Sequence, residues 1–292
     1  MVQQISQEEL QKIVKSVPML SASASQLLQL TSQADHDLVD VINLVRNDAN
    51  LTARVLKIVN SAAFGLINSI TSIDRAVSYL GERIIVSIAI GDCAGKLFEK
   101  ELTGYEAAGG DLWKHDLRTA IASREVVTQS GVDLSPELAF TAGLLHDIGK
   151  ALISDYLQGS VVDAVKMLTT EEDLDYLDAE EKLAGFDHTR AGYELAREWQ
   201  LPDELAEVIL HHHEPSRASA EHRPLVYAVH LGDNIAMMGG FGTGADSMRY
   251  KLDHQYTDYI KIGPKTLATI MLNVDIEFEK LEGSLTTSGE KN

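Results

Sequence analysis

Imidazole and carboxylate side chains recur in this sequence in small groups set into apolar surroundings. His146 and Asp147 are adjacent inside AGLLHDIGKAL and are followed by Gly149 and Lys150. His115 follows Asp111 by four residues, which places both on one face of a helix. His188 opens a further helical stretch, with Gly192 one turn on along the same face and leaving room for close approach. His211, His212, His213 and Glu214 close the next one, and Asp233 sits in VYAVHLGDNIAMM. A charge in an apolar segment demands a partner, and a cation is one way to supply it. Each group taken singly has a plainer reading. A lone histidine is a satisfied core or surface residue, the histidine run sits favourably at a helix C-terminus, Asp233 is a buried cap, and Lys150 is a solvated helix end. Asp111 with His115 is then an exposed pair worth a few tenths of a kcal/mol. Taken together, histidines and aspartates from five separate helical stretches form the ligand type of borderline first-row cations, and neutral imidazole with carboxylate suits Fe, Mn, Zn or Ni.

Positioning such a set requires a helical scaffold, and the chain provides one. Period-2 alternation of β-branched residues is scarce, whereas apolar residues three and four apart recur almost throughout, so the expected fold is all-α. Ser6 with Glu9 fits a capping box opening a first helix that Pro18 closes. Short helical pieces are expected over 24–31, 38–46, 51–60 and 73–80. The glycine-containing stretch 102–110 breaks the pattern and reads as a linker. It divides an N-terminal helical bundle over 1–105 from a larger helical core over 106–282, with a polar tail over 283–292. Ser135 and Pro136 start the helix that leads to His146, Asp187 caps the one beginning at His188, Pro202 starts the one ending in the histidine run, and 266–280 forms the last. The glycines of GGFGTG after Met238 suggest a mobile loop near the site.

Composition narrows the partners. The 292 residues carry 25 Lys+Arg against 44 Asp+Glu, a formal net charge of −19 at pH 7, with 45% hydrophobic residues. That apolar fraction suffices for a packed core, while the acidic balance and the lack of a basic run disfavour nucleic acid and anionic membrane surfaces. No apolar run approaches the roughly 20 residues of a membrane helix, and the segment after Met1 is polar, so a cytoplasmic protein is expected. The single Cys93 excludes an internal disulfide and reads as a small buried residue.

The order and context of these residues resemble the HD superfamily of metal-dependent phosphohydrolases, whose fold is an all-helical core around a mono- or dinuclear metal site. HDIGK is similar to the HDxGK form of the HD-GYP branch, as is His188 with Gly192 followed by His212, His213 and Glu214. Carried over position by position, the resemblance implies the metal ligands His115, His146, Asp147, His188, His212, His213 and Asp233. It adds Asp111 as a possible extra ligand and Lys150 as a phosphate-contacting residue. The chain departs from that branch after Glu214, where it reads PSRASAEHRP and lacks the Gly-Tyr-Pro tripeptide that helps shape the branch's substrate pocket, which weakens the case for cyclic di-GMP. Upstream, VPMLSASASQLLQL, NDANLTARVLKIVNSAAFGL and SITSIDRAVSYLG resemble the HDOD family of bacterial signalling proteins, over roughly 10–240 with the HD-like core.

The HDOD resemblance implies a regulatory or scaffolding output module, and members often lack several HD ligands, whereas this chain keeps them. Its expected partners are a signalling protein or a small phosphorylated ligand. The alternative is a metal-dependent phosphohydrolase acting on a nucleotide or cyclic dinucleotide. In that reading Asp147 bridges two metals and Lys150 neutralises phosphate charge, with Glu214 or Asp233 assisting. A third reading is a metal that only knits helices together.

Overall fold

The computed structural model of the chain describes residues 4–33, 35–170, 174–247 and 249–286. Among them, regular structure is helical, with one isolated antiparallel bridge between Leu102 and Ala107. Helix α1 (Gln7–Ser16) begins as its sequence dictates: Ser6 Oγ accepts from the Glu9 amide and Glu9 accepts from the Ser6 backbone N–H. Helices α2 (Ala22–Thr31), α3 (Leu38–Asn47), α4 (Ala49–Val59) and α5 (Ile73–Leu80) fall within two residues of the expected bounds. Ser21, Asp37 and Asp48 cap three of them by accepting first-turn amides. Helix α6 (Glu82–Phe98) buries every residue from Ile84 to Ile90, so its apolar run has no polar face. Cys93 on α6 is half-buried and its Sγ accepts from the Ser21 amide.

The second part of the chain contains α7 (Asp111–Ser130), α8 (Pro136–Leu145), α9 (Lys150–Ile153), α10 (Val161–Thr170), α11 (Tyr176–Ala184), α12 (His188–Glu198), α13 (Asp203–His211), α14 (Arg223–Met238), α15 (Tyr256–Tyr259) and α16 (Pro264–Thr286). The last helix outruns its expected end at 280 and takes in residues 281–286, so part of the expected tail is helical, and 287–292 lie outside the described residues. Among the described residues no helix is long and apolar enough to cross a membrane.

Helix α7 is the post against which α8, α14 and α16 stand. Small residues let two of them come close. A methyl group on Gly232 of α14 would meet the Ser123 amide of α7 at 2.8 Å, and one on Gly143 of α8 would meet Ala120 Cα at 2.8 Å. This close approach draws the ligand-bearing positions of three helices together.

The two expected bundles share one hydrophobic core, which runs from Ile5 to Leu281. Helix α1 packs on α12, the Ile5 amide donates to the Ala184 carbonyl, and Trp199 Nε1 donates to the Pro18 carbonyl. Helix α16 returns from α7 to touch α4. The stretch 102–110 is a packed turn rather than a loose linker. Leu102 and Tyr105 are fully buried, and the Gly104 amide donates to Ser154 Oγ at a position where a side chain would strike the Ser154 carbonyl. A solvated linker needs no such fit; this one is held by burial of its own aromatic ring.

Candidate metal centre

Five stretches of the chain deliver the sequence-selected residues to one place. His115 comes from the second turn of α7, His188 from the first residue of α12, and Asp233 from α14. His212 caps the C-terminus of α13, with His213 next in line. His146 and Asp147 lie not inside a helix but in the turn between α8 and α9. That turn lies directly on α12: a methyl on Gly149 would run into the His188 carbonyl and come within 2.6 Å of the Gly192 amide. Gly149 and Gly192 therefore face each other, as the spacing of His188 and Gly192 suggests, and let Asp147 reach His188. All seven side chains are buried, His213 being the most exposed at 6%.

The Asp147 carboxylate divides the cluster. Its Oδ1 lies 3.2 Å from His188 Nε2 and 3.4 Å from His212 Nε2. Its Oδ2 lies 3.5 Å from both His115 Nε2 and His146 Nε2. Asp233 Oδ1 completes the second group, 3.1 Å from His115 Nε2 and 3.7 Å from His146 Nε2. His213 joins the first group, with Asp147, His188 and His212.

The outer nitrogen of four histidines is fixed by an acceptor, which leaves the inner nitrogen free of a proton in the neutral ring. Nδ1 of His115 is 2.7 Å from the Phe241 carbonyl and Nδ1 of His146 is 2.8 Å from the Gly143 carbonyl. Nδ1 of His212 is 3.1 Å from the Ile209 carbonyl, while Nδ1 of His188 is 2.7 Å from Glu180 Oε2. Glu180 also accepts the His188 amide at 2.8 Å and the Tyr105 hydroxyl at 2.8 Å. His230 shows the plainer role of a buried histidine: its ring links the His212 carbonyl to the Asp253 amide and so sets the backbone of the histidine run.

Electrostatics within this buried cluster are unbalanced. Burial pulls all five imidazoles down, yet Glu180 and Asp147 hold His188 up at about 10, and Asp147 and Asp233 hold His115 and His146 up. Burial wins at His212, which drops to about 4, and at His213, which its neighbours His212 and His188 lower further. Asp147 and Asp233 stay well below the usual carboxylate range despite their burial, held by these histidines. Asp147 Oδ1, one oxygen of Asp233, His146 Nε2 and both nitrogens of His213 lack an aligned hydrogen bond, and Asp147 Oδ2 has the Lys150 ammonium beside it. Buried polar atoms are seldom left so, and a divalent cation in each half would satisfy them. The donor set thus fits one or two metal ions, held by two buried His/Asp groups.

Other expected residues fall elsewhere. The Asp111 carboxylate accepts from the Ala108 amide at 2.9 Å, at the rim of the cavity outside His115, and belongs to neither group. Its place as the first residue of α7 explains this, because the carboxylate turns back to an amide of the turn before the helix. Lys150 is 2% exposed and its ammonium is taken up by protein groups: Asp147 Oδ2 and Asp246 Oδ2, each at 2.6 Å, and Thr243 at 2.8 Å. It neutralises carboxylates rather than facing open space. The GGFGTG segment braces the site, since Phe241 holds His115 while Thr243 is nearly buried with Asp246 on Lys150.

Four participants escape the sequence pattern. Asp116 lies in the second buried group, both its oxygens are without a hydrogen-bond partner, and burial pushes its pKa up to about 8. Its signal was its place beside His115 in a helix whose residues 115–123 are all buried. Glu180, Asp246 and Tyr250 sit in segments with no motif, and only the tertiary fold brings them to His188 and Lys150.

The sequence profile of the HDOD domain matches residues 17–215. The chain belongs to the HDOD family. The matched span holds the N-terminal bundle from the end of α1 onward and the centre as far as His213, but not Asp233. Two solved structures share the fold. A candidate phosphohydrolase from Shewanella amazonensis SB2B is 24% identical, with a TM-score of 0.62 over 94% of this chain and 96% of its own. A candidate signal transduction protein from Marinobacter aquaeolei VT8 is 19% identical, with a TM-score of 0.72 over 99% of this chain and 62% of its own. An uncharacterized protein of Treponema pallidum (strain Nichols) is 23% identical over 216 residues, 74% of this chain. The match spans 41% of that relative's length.

Proposed function

We propose that this HDOD protein is a cytoplasmic signal-transduction module in which a His/Asp centre binds one or two divalent ions. The ions hold the helical core in the form read by a partner protein or a small phosphorylated ligand. His115, His146 and Asp233 would hold one ion and His188, His212 and His213 the other, with Asp147 available to both. One observation carries this reading: the two oxygens of Asp147 each face a different pair of imidazole Nε2 atoms, from 3.2 to 3.5 Å away. A bound divalent ion there supplies a Lewis acid and lowers the pKa of a coordinated water. The chain's residues do the rest: Glu180 orients His188, the Phe241 carbonyl orients His115, and Lys150, held in place by Asp246, balances the charge of Asp147.

A regulatory role is favoured over turnover by access. The ligands are at most 6% exposed, and Lys150 is engaged by carboxylates. The test is elemental analysis of the purified protein followed by a nucleotide and cyclic-dinucleotide hydrolysis panel with Mn²⁺ or Fe²⁺. Stoichiometric metal without product supports the module. Metal-dependent product that disappears in Asp147→Ala instead supports the second reading, a metal-dependent phosphohydrolase. That reading draws on the bridging carboxylate, which suits two ions clamping a phosphoryl group, and on the likeness to the Shewanella amazonensis protein.

A further inference from the structure

A cleft of about 470 Å³ opens beside the centre, between the start of α11, the turn into α12, the histidine run and the segment before α15. Six carboxylates line it, from Asp175, Asp178, Glu181, Asp187, Glu214 and Asp253, against the cationic side chains of Arg217 and Lys251. Arg217 is already paired with Glu214 at 2.7 Å. Asp175, Asp178, Asp187 and Glu214 thus gather their negative charges around one opening.

At the inner wall of this cleft lies His213. It is 6% exposed, yet neither ring nitrogen makes a hydrogen bond. The other four histidines of the centre have Nδ1 fixed on an acceptor, while the nearest carboxylate oxygen to His213 Nδ1 is Asp233 Oδ2 at 4.0 Å. Its ring is held by stacking on Tyr250, 3.7 Å between centroids, a contact that fixes the plane without occupying either nitrogen. The cavity on the far side of the centre differs. There Lys114 pairs with Glu282 at 3.7 Å, and Arg118 is clamped between the rings of Phe241 and Phe278.

We infer that the acidic cleft is the loading route for the centre: it gathers a divalent cation from solvent and passes it to His213, the histidine of the centre whose two nitrogens make no hydrogen bond. The inference rests on the metal-binding reading above and adds the path and the first ligand. A cleft lined by charge of one sign focuses the field and raises the local concentration of counter-ions, speeding association by about 10-fold or more at low salt. The same field opposes phosphate anions, so this opening admits cations and not the phosphorylated ligand.

The experiment uses the full chain stripped of metal by chelation and mixed with Co²⁺ alone in a stopped-flow instrument, with visible absorbance reporting coordination. The double variant Glu181→Gln/Glu214→Gln removes two cleft charges from residues that cap no helix. Asp40→Asn/Asp163→Asn removes two exposed charges elsewhere. The expected result is Co²⁺ uptake slowed about tenfold in the cleft variant at low ionic strength. The difference should close near 1 M salt, where the screening length is about 3 Å, with unchanged final stoichiometry. His213→Ala should slow capture even with the carboxylates intact. Equal rates for the two double variants, or a difference that persists at high salt, overturn the loading route. A parent chain that takes up no Co²⁺ at equilibrium defeats the metal-binding reading itself, which is a different outcome.

Discussion

Replacing Asp147 by asparagine preserves volume and removes one charge at the point where the two halves of the centre meet. Its oxygens lie 3.2 and 3.4 Å from His188 and His212 on one side, and 3.5 Å from His115 and His146 on the other. An amide offers one neutral oxygen to one side and an NH₂ donor to the other. One half of the centre therefore loses its shared ligand and the other keeps a weaker one. Ions bound by the folded chain stabilise it by about 2.7 kcal/mol when present at 100 times Kd. At roughly 2–4 °C per kcal/mol for a large single domain, chelation should lower the parent Tm by about 5–10 °C. Far-UV circular dichroism with EDTA, and then with added Mn²⁺ or Zn²⁺, follows the loss and recovery. The Asp147→Asn variant should show little of either and contain little metal by elemental analysis. A parent Tm indifferent to chelator and metal, or an asparagine variant with the parent's metal content, refutes the bridging role.

Glu180→Gln leaves His188 without its carboxylate acceptor and should weaken metal affinity by about 10–100-fold, measured by competition with a chromophoric chelator. Gly149→Ala forces a methyl against the His188 carbonyl and the Gly192 amide, and should cost at least about 2 kcal/mol in urea unfolding; a neutral result would show that the α9–α12 contact yields easily. His36 is held above its ordinary pKa: burial lowers it, but Glu82, 2.6 Å away, raises it more, and Glu137 adds to this. Its contribution is complete below about pH 6.5 and is lost as pH rises through the elevated value, so His36→Gln should lower Tm more near pH 6 than near pH 9. Metal content should fall as pH drops below about 5.5 and the imidazole ligands take up protons, and full occupancy at about pH 4.5 would contradict imidazole ligation.

Much of the scaffold is written locally. Apolar spacing, the Ser6–Glu9 capping box, the Ser135–Pro136 start and the Asp187 cap each act within a few residues, and the helices they define appear where expected. The seven residues that the HD resemblance picks out do come together in one buried cluster, although each taken singly has a plainer reading in the sequence. Where local reasoning strayed, a distant partner decided. The 102–110 stretch reads as a linker from its glycines, but Tyr105 finds Glu180 across the fold and is buried with it. Lys150 reads as a phosphate ligand by resemblance, but Asp246 and Thr243, almost a hundred positions along the chain, meet its ammonium first.

Sequence alone showed which side chains are of a type that can hold a cation and where most of the helices begin and end, since both depend on residue type and spacing within one or two turns. Tertiary packing decided the rest: that Asp147 points one oxygen at each half of the centre, that Asp116 and Glu180 stand behind its histidines, and that Asp111 does not take part. These are distances between segments, and they are set by how closely Gly143, Gly149, Gly192 and Gly232 allow neighbouring backbones to approach. A residue's partner across such a contact is fixed by the shape of the whole fold, which no short stretch of sequence contains.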